Sequence, residues 1–201
     1  KNSTTDLMNV MILSDARCVE KKQSAPRAAA EMNVLKKIFP QADYALQTAA
    51  SKEDQPLTGH YEIIHRILCD CFAKEALSDS CSLVDSAGHN RECPEIQDIF
   101  RLRLSGRTAV LSPCPAEENY PARKSGVSGM TSAWLYAVSP QVVTQLWEVE
   151  DKARAVFMGM FYENLKKSTS AADSLRTAQN GMIQSGYGPS DWAAFVLTGR
   201  Y

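Results

Sequence analysis

Histidine is scarce in this chain: three among 201 residues, at His60, His65 and His89. Chemistry that needs an imidazole, as general base or metal ligand, has only these to draw on. An excess of charge of one sign is missing too. Lys and Arg number 22 against 23 Asp and Glu, a formal net charge of -1, which provides no field for holding nucleic acid or an anionic membrane. No apolar run approaches the ~20 residues needed to span a bilayer. The opening "KNSTTDLMNVMILSD" turns polar again within a few residues and does not read as a secretory signal. Paired Cys-x-x-Cys knuckles are absent, and the common zinc modules are excluded with them. There is no internal repeat and no low-complexity tract.

What remains is an ordinary globular composition, 44% apolar and 22% charged. A chain of 201 residues suits one domain with a sizeable core. It starts at Lys1 without a methionine, so a piece of a longer polypeptide is expected. Six cysteines, Cys18, Cys69, Cys71, Cys81, Cys93 and Cys114, would permit three disulfides, but a core of this size needs none. Reduced thiols and a cytoplasmic location are the expectation.

Apolar patterning alternates between strand and helix. Strands are predicted over 6–15, 42–49, 59–72, 80–85, 107–112, 141–147 and 192–199. Between them, Ala29, Met32, Leu35, Ile38 and Phe39 recur at helical spacing before Pro40. The stretch 128–138 reads as a compact helix. In 148–167, Ala153, Val156, Phe157, Met160, Phe161 and Leu165 make an amphipathic face. Another helix follows Thr169-Ser170 and ends at Gly186. This alternation predicts an α/β fold, a mainly parallel sheet covered by helices on both faces. "GRTAVLSPCPAEEN" then stands out as a buried strand that runs into Cys114 and breaks. In α/β proteins the carboxyl ends of strands are where ligands bind. Cys114 is therefore a candidate nucleophile, or else a small buried residue.

Longer stretches resemble a known family. "VSGMTSAWLYAVSPQVVTQLWEVEDKARAVFMGMFYENLKK", "SAADSLRTAQNGM" and "DWAAFVLTGRY" are similar to the CHAT domain, a caspase-like and separase-like family usually fused to TPR repeats. The likeness rests on Gly129, Leu146-Trp147, Val149, Asp151, Phe161-Tyr162, Ala171, Leu175, Ala178 and Trp192-Ala193-Ala194-Phe195. "APRAAAEMNVLKKIFPQADYALQTAASKE" ahead of "YEIIH" extends it to essentially the whole chain. The resemblance implies a caspase-like sheet and one CHAT domain over 1–201, cut from the C-terminal part of a TPR-containing protein.

It also implies an active-site dyad, a cysteine closing one strand and a His-Gly pair closing the preceding long strand. "VLSPC" matches the first motif and makes Cys114 the nucleophile position. Where the family has a pattern like His-Phe-Ala-Thr-His-Gly, this chain has "HRILCDC". His65 matches the first histidine, which is not the family's base. The dyad histidine falls on Cys69 and the glycine on Asp70.

Those two substitutions remove most of the chemistry. An unassisted thiol, with a pKa of ~8.5, is only a few per cent ionised at neutral pH. Cys69 neither stabilises a thiolate nor protonates a leaving amine. Asp70 brings a carboxylate toward a site that must accept negative charge, and an oxyanion donor lost costs about 3–4 kcal/mol. Pro113 leaves the Cys114 N–H intact. His65 stands four residues before Cys69, roughly 13 Å if extended, and reads best as a hydrogen-bonded core histidine. His60 begins that strand at its far end, and His89 sits in a polar loop from which it could fold over the site.

Three further expectations complete the reading. Cys69, Cys71, Cys81, His89 and Cys93 fall within 25 residues, but their spacing argues against zinc, so neither metal nor cofactor is expected. Cys69 and Cys114 at neighbouring strand ends could instead form a redox-sensitive disulfide. Asp79, Asp85, Glu117 and Glu118 are acidic candidates for lining a substrate pocket, though each reads singly as a solvated carboxylate. Trp134, Trp147 and Trp192 read as packing residues. The function expected is a degenerate peptidase domain that works as a protein-interaction or regulatory module. It would engage a protein or peptide ligand and the TPR repeats of its own polypeptide, but neither nucleic acid nor membrane. The alternative is an active cysteine endopeptidase in which Cys114 uses a base from elsewhere in the chain or from a partner.

Overall fold

A computed structural model of the chain describes residues 8–15, 25–47, 58–68, 82–84, 90–92, 99–100, 102–113, 129–167 and 170–200. Strand β1 (Val10–Asp15) leads to helix α1 (Ala25–Ile38), β2 (Asp43–Gln47) and the long β3 (Thr58–Leu68). The short β4 (Ser82–Val84) and β5 (Asn90–Glu92) form a separate antiparallel pair. Next come β6 (Arg103–Pro113), α2 (Gly129–Ala137), β7 (Gln141–Gln145), α3 (Asp151–Leu165), α4 (Ala171–Gln184), the one-turn α5 (Pro189–Trp192) and β8 (Phe195–Gly199).

The main sheet has six strands in the order β2-β1-β3-β6-β7-β8, and every pairing but the last is parallel. From β1 the chain moves one way to β2, then returns past β1 and advances the other way through β3, β6 and β7. Right-handed crossovers in opposite directions put helices on opposite faces. Accordingly α1 packs with α3 on one face, while α2 packs against β6 and β7 on the other. The reversal lies between β1 and β3, so the crevice of a doubly wound sheet opens above their carboxyl ends.

Two apolar layers hold this arrangement. Val10, Ile12, Ile63, Ile67, Val110 and Val143 meet Leu35, Phe157, Phe161 and Met182 on the α1, α3 and α4 side. Met11, Leu13, Ile64, Ala109, Leu111 and Val142 meet Ala133, Trp134 and Val138 beneath α2. Strand residues thus alternate between the layers along β1 and β6, as an extended chain requires. Helix α4 starts where Ser170 accepts a hydrogen bond from the Asp173 N–H at 3.1 Å, an N-cap of the expected kind.

Some expectations need correcting. β6 begins at Arg103, four residues earlier than 107, because its outward-facing polar residues disguise a strand that pairs with β3 from Thr58 onward. The last strand starts at Phe195, since Pro189–Trp192 makes a helical turn first. β5 was not anticipated: "NRE" carries no strand signal and is held by pairing with β4. Trp134 is fully buried, but Trp147 is 43% exposed, its indole N–H donating to the Ser190 carbonyl. The buried side of α3 is rotated toward Arg154, Met158 and Tyr162, leaving Val156 and Met160 only half-buried. The cause is α1, which packs across α3 and covers flanks that a lone sheet would leave to solvent.

Candidate functional site

Strands β3 and β6 end side by side at the carboxyl edge of the sheet, where Leu68 pairs with Pro113. The next residues in the chain are Cys69 and Cys114. Both, with Asp70, Asp79, Asp85, Glu117 and Glu118, lie outside the described residues, as do Cys18, Cys71, Cys81, Cys93 and His89.

Just below the strand ends, on the α1–α3 side, the apolar layer is interrupted by a cluster of polar side chains. Glu31 of α1 is 1% exposed, His65 of β3 0%, Ser112 of β6 1% and Arg154 of α3 1%. The Ser112 hydroxyl donates to Glu31 Oε2 at 2.7 Å. His65 Nε2 stands 3.3 Å from Glu31 Oε1, and Arg154 Nε stands 3.4 Å from Oε2. Arg154 Nη2 also donates to Asp151 Oδ1 at 2.8 Å. On its other side His65 Nδ1 lies 2.6 Å from the Tyr162 hydroxyl. A carboxylate can only accept, so in the neutral ring the hydrogen sits on Nε2 and Nδ1 accepts from Tyr162.

Burial alone would push the Glu31 carboxyl up. The facing His65 ring, the Arg154 guanidinium and the Ser112 hydroxyl outweigh it and hold the group below its ordinary value of 4.5. Tyr162 moves the other way: burial, and then the Glu31 charge, push its phenol well above 10.0, so it stays a hydrogen-bond donor. Serine, histidine and a carboxylate are therefore together, but in the wrong order for nucleophilic catalysis. A serine nucleophile needs the imidazole as its neighbour and the carboxylate behind it. Here the carboxylate stands in the middle, and its lowered pKa makes it a poor base for a hydroxyl.

The pH dependence of stability follows. A carboxyl depressed by folding contributes stability that is present above its unfolded value of 4.5 and is lost as pH falls through the lower folded value. The stability gap between wild type and Glu31→Gln is expected to narrow as pH drops below about 4.5. Urea unfolding of both proteins between neutral pH and acid checks it; a constant gap would mean that folding does not shift the Glu31 carboxyl, and a wild type that gains on Glu31→Gln toward acid would mean that the group is protonated in the folded protein.

The histidines divide cleanly. His65 is enclosed, as expected for a core histidine. His60 is exposed at the other end of β3, its Nδ1 2.8 Å from the Ser105 hydroxyl. Among the described residues, no group of three or more His, Cys, Asp or Glu side chains could hold a metal, and no helix is long and apolar enough to cross a membrane.

Sequence reasoning missed Glu31, Ser112, Arg154 and Tyr162 as a unit. A signal existed for two of them. Glu31 is one turn before Leu35, and Arg154 is in phase with Met158, Phe161 and Leu165, so each charge sits inside an apolar stripe. An acid and a base buried on separate helices are a pairing hint. Ser112 and Tyr162 gave none.

The model of the CHAT domain family matches residues 13–200. No curated protein matches the chain.

Proposed function

The chain belongs to the CHAT domain family, a caspase-like, peptidase-related domain, and on that premise we propose that it is a degenerate member acting as a protein-interaction or regulatory module. What supports this is the resemblance in sequence, by which Cys69 stands where the family has its dyad histidine and Asp70 where it has glycine. A cysteine there cannot generate a neighbouring thiolate, and an aspartate opposes the charge of a tetrahedral intermediate. His65 offers no rescue. It is wholly buried between Glu31 and Tyr162, and proton transfer to a strand-end thiol needs contact or one water. The strand-end cleft then serves to hold a protein or peptide ligand, within a longer polypeptide that carries TPR repeats.

The test is the alkylation rate of Cys114 against pH, read peptide by peptide by mass spectrometry with Cys18 as internal comparison. A Cys114 that titrates like a free thiol near ~8.5, or stays inert, is the expected result. A midpoint well below that value would overturn the proposal. It would favour the endopeptidase reading, with Cys114 as nucleophile and a base supplied by another part of the chain or by a partner.

A further inference from the structure

We propose that the outer face of α1 and α3 is a self-association surface for a second copy of this chain, with α3 of one copy lying antiparallel on α3 of the other. This is independent of what the strand-end cleft binds or cleaves. Helices α1 and α3 run in the same direction, since Glu31 meets Arg154, Val34 stands beside Gly159 and Lys166 donates to the Ile38 carbonyl. Between them lies an open groove of about 790 Å³. Its floor is uncharged, with Ala30, Val34 and Ile38 from α1 and Ala155, Val156 and Gly159 from α3. All but Ala155 are only half-buried. Gly159 is not explained from within the fold. A glycine inside a helix weakens it, and is accounted for where the backbone or a close neighbour demands it. Here φ is not positive, and a Cβ would meet only the Val34 side chain, at an ordinary 3.6 Å. Gly181 shows the contrast, because a Cβ there would come within 2.8 Å of the Met160 sulfur. The room over Gly159 faces outward.

Charge and spacing identify the occupant. Lys152, Val156, Gly159 and Glu163 form one row along α3, about three turns or ~16 Å long. Lys152 and Glu163 are exposed and make no hydrogen bond or ion pair with a described residue. The row is complementary to itself when reversed. About a two-fold axis between residues 157 and 158, Lys152 meets Glu163 of the second copy, and Val156 sits over Gly159 of the second copy as a knob over a hole. Each contact then occurs twice, as an isologous interface requires. Lys37 lies at the Glu163 end of the groove, and Glu150 with Asp151 at the other, so the same reversal brings these opposite charges together. A parallel arrangement would instead set Lys152 on Lys152 and Glu163 on Glu163, which repel. A face two helices wide and about 20 Å long is smaller than a standard interface, so the dimer is weak and depends on concentration.

The test is sedimentation equilibrium of the chain under reducing conditions, from about 1 to 300 μM. A monomer–dimer equilibrium is expected for wild type. Lys152→Glu and Glu163→Lys are each expected to weaken it about tenfold, because like charges then face each other twice across the axis. The double variant Lys152→Glu with Glu163→Lys restores both pairs and is expected to return to within about threefold of wild type. Gly159→Ala should act in two opposite ways. It raises the melting temperature of the monomer by about 2–4 °C, and it weakens association at least about fivefold by filling the hole under Val156. A chain that stays monomeric throughout the range would overturn the proposal and leave the groove to a helix of a different chain. A dimer indifferent to the charge variants, or a double variant no better than the single ones, would overturn it by placing the interface elsewhere. None of these results bears on the Cys114 titration, so failure here leaves the binding-module reading as it stands.

Discussion

Replacing Arg154 by alanine is expected to lower the unfolding free energy by about 3–5 kcal/mol, the usual cost of breaking a buried ion pair from one side. Arg154 is among the largest fully buried side chains of the protein, and it lies between Glu31 and Asp151. Its removal does two things at once. It leaves the Glu31 carboxylate ionised, or forced to take a proton, in surroundings that no longer compensate it. It also opens a void between α1 and α3 that the ends of two rigid helices cannot close. Urea unfolding of the single variants and of the pair Glu31→Gln with Arg154→Met separates these terms. The pair is expected to cost clearly less than the sum of its parts, because the charge and its counter-charge leave together. A loss below about 1 kcal/mol for Arg154→Ala would mean that the guanidinium is not the partner that keeps Glu31 ionised.

Phe157→Ala is expected to cost a similar amount, about 3–5 kcal/mol, for a purely apolar reason. The Phe157 ring stacks on Phe195 with centroids 3.7 Å apart and planes 7° from parallel, and both are buried, at 0% and 1% exposure. This contact fastens α3 to the first residue of β8, an edge strand whose sheet partner is β7. The loss should therefore be partly local, with faster amide exchange along β8 than in β1. The matching change on the half-buried flank of the same helix, Val156→Ala, is expected to cost less than about 2 kcal/mol. If the two variants were equal, the helix would be buried on the side that simple periodicity indicates and not on the side toward Met158 and Tyr162.

Much of this fold is legible in the sequence. Runs such as Val10 to Leu13 and Ala109 to Leu111 are buried on both sides, and continuous apolar stretches separated by helices of 3.6 periodicity specify parallel strands with crossovers. What was not legible depended on third elements. The turned face of α3 reflects α1 lying across it, and the short β5 reflects β4, and neither cause can be read within the segment itself. The candidate site divides the same way. Cys114, Cys69 and Asp70 are named only through the family motifs they resemble and lie outside the described residues, whereas Glu31, Ser112 and Tyr162 come together only when two strands and two helices converge.

The polar cluster also has a bearing on time. Its bonds join residues far apart in the chain, Ser112 to Glu31 across 81 positions and His65 to Tyr162 across 97. Contacts of such long range carry the greatest loop-closure entropy and are expected to form late, after the folding barrier is crossed. Interactions missing from the transition state govern how fast the native protein comes apart. Loss of Arg154 should accordingly shorten the lifetime of the folded domain while leaving its refolding rate nearly untouched. The cluster thus acts as a kinetic clasp, holding shut a domain that other contacts have already brought together.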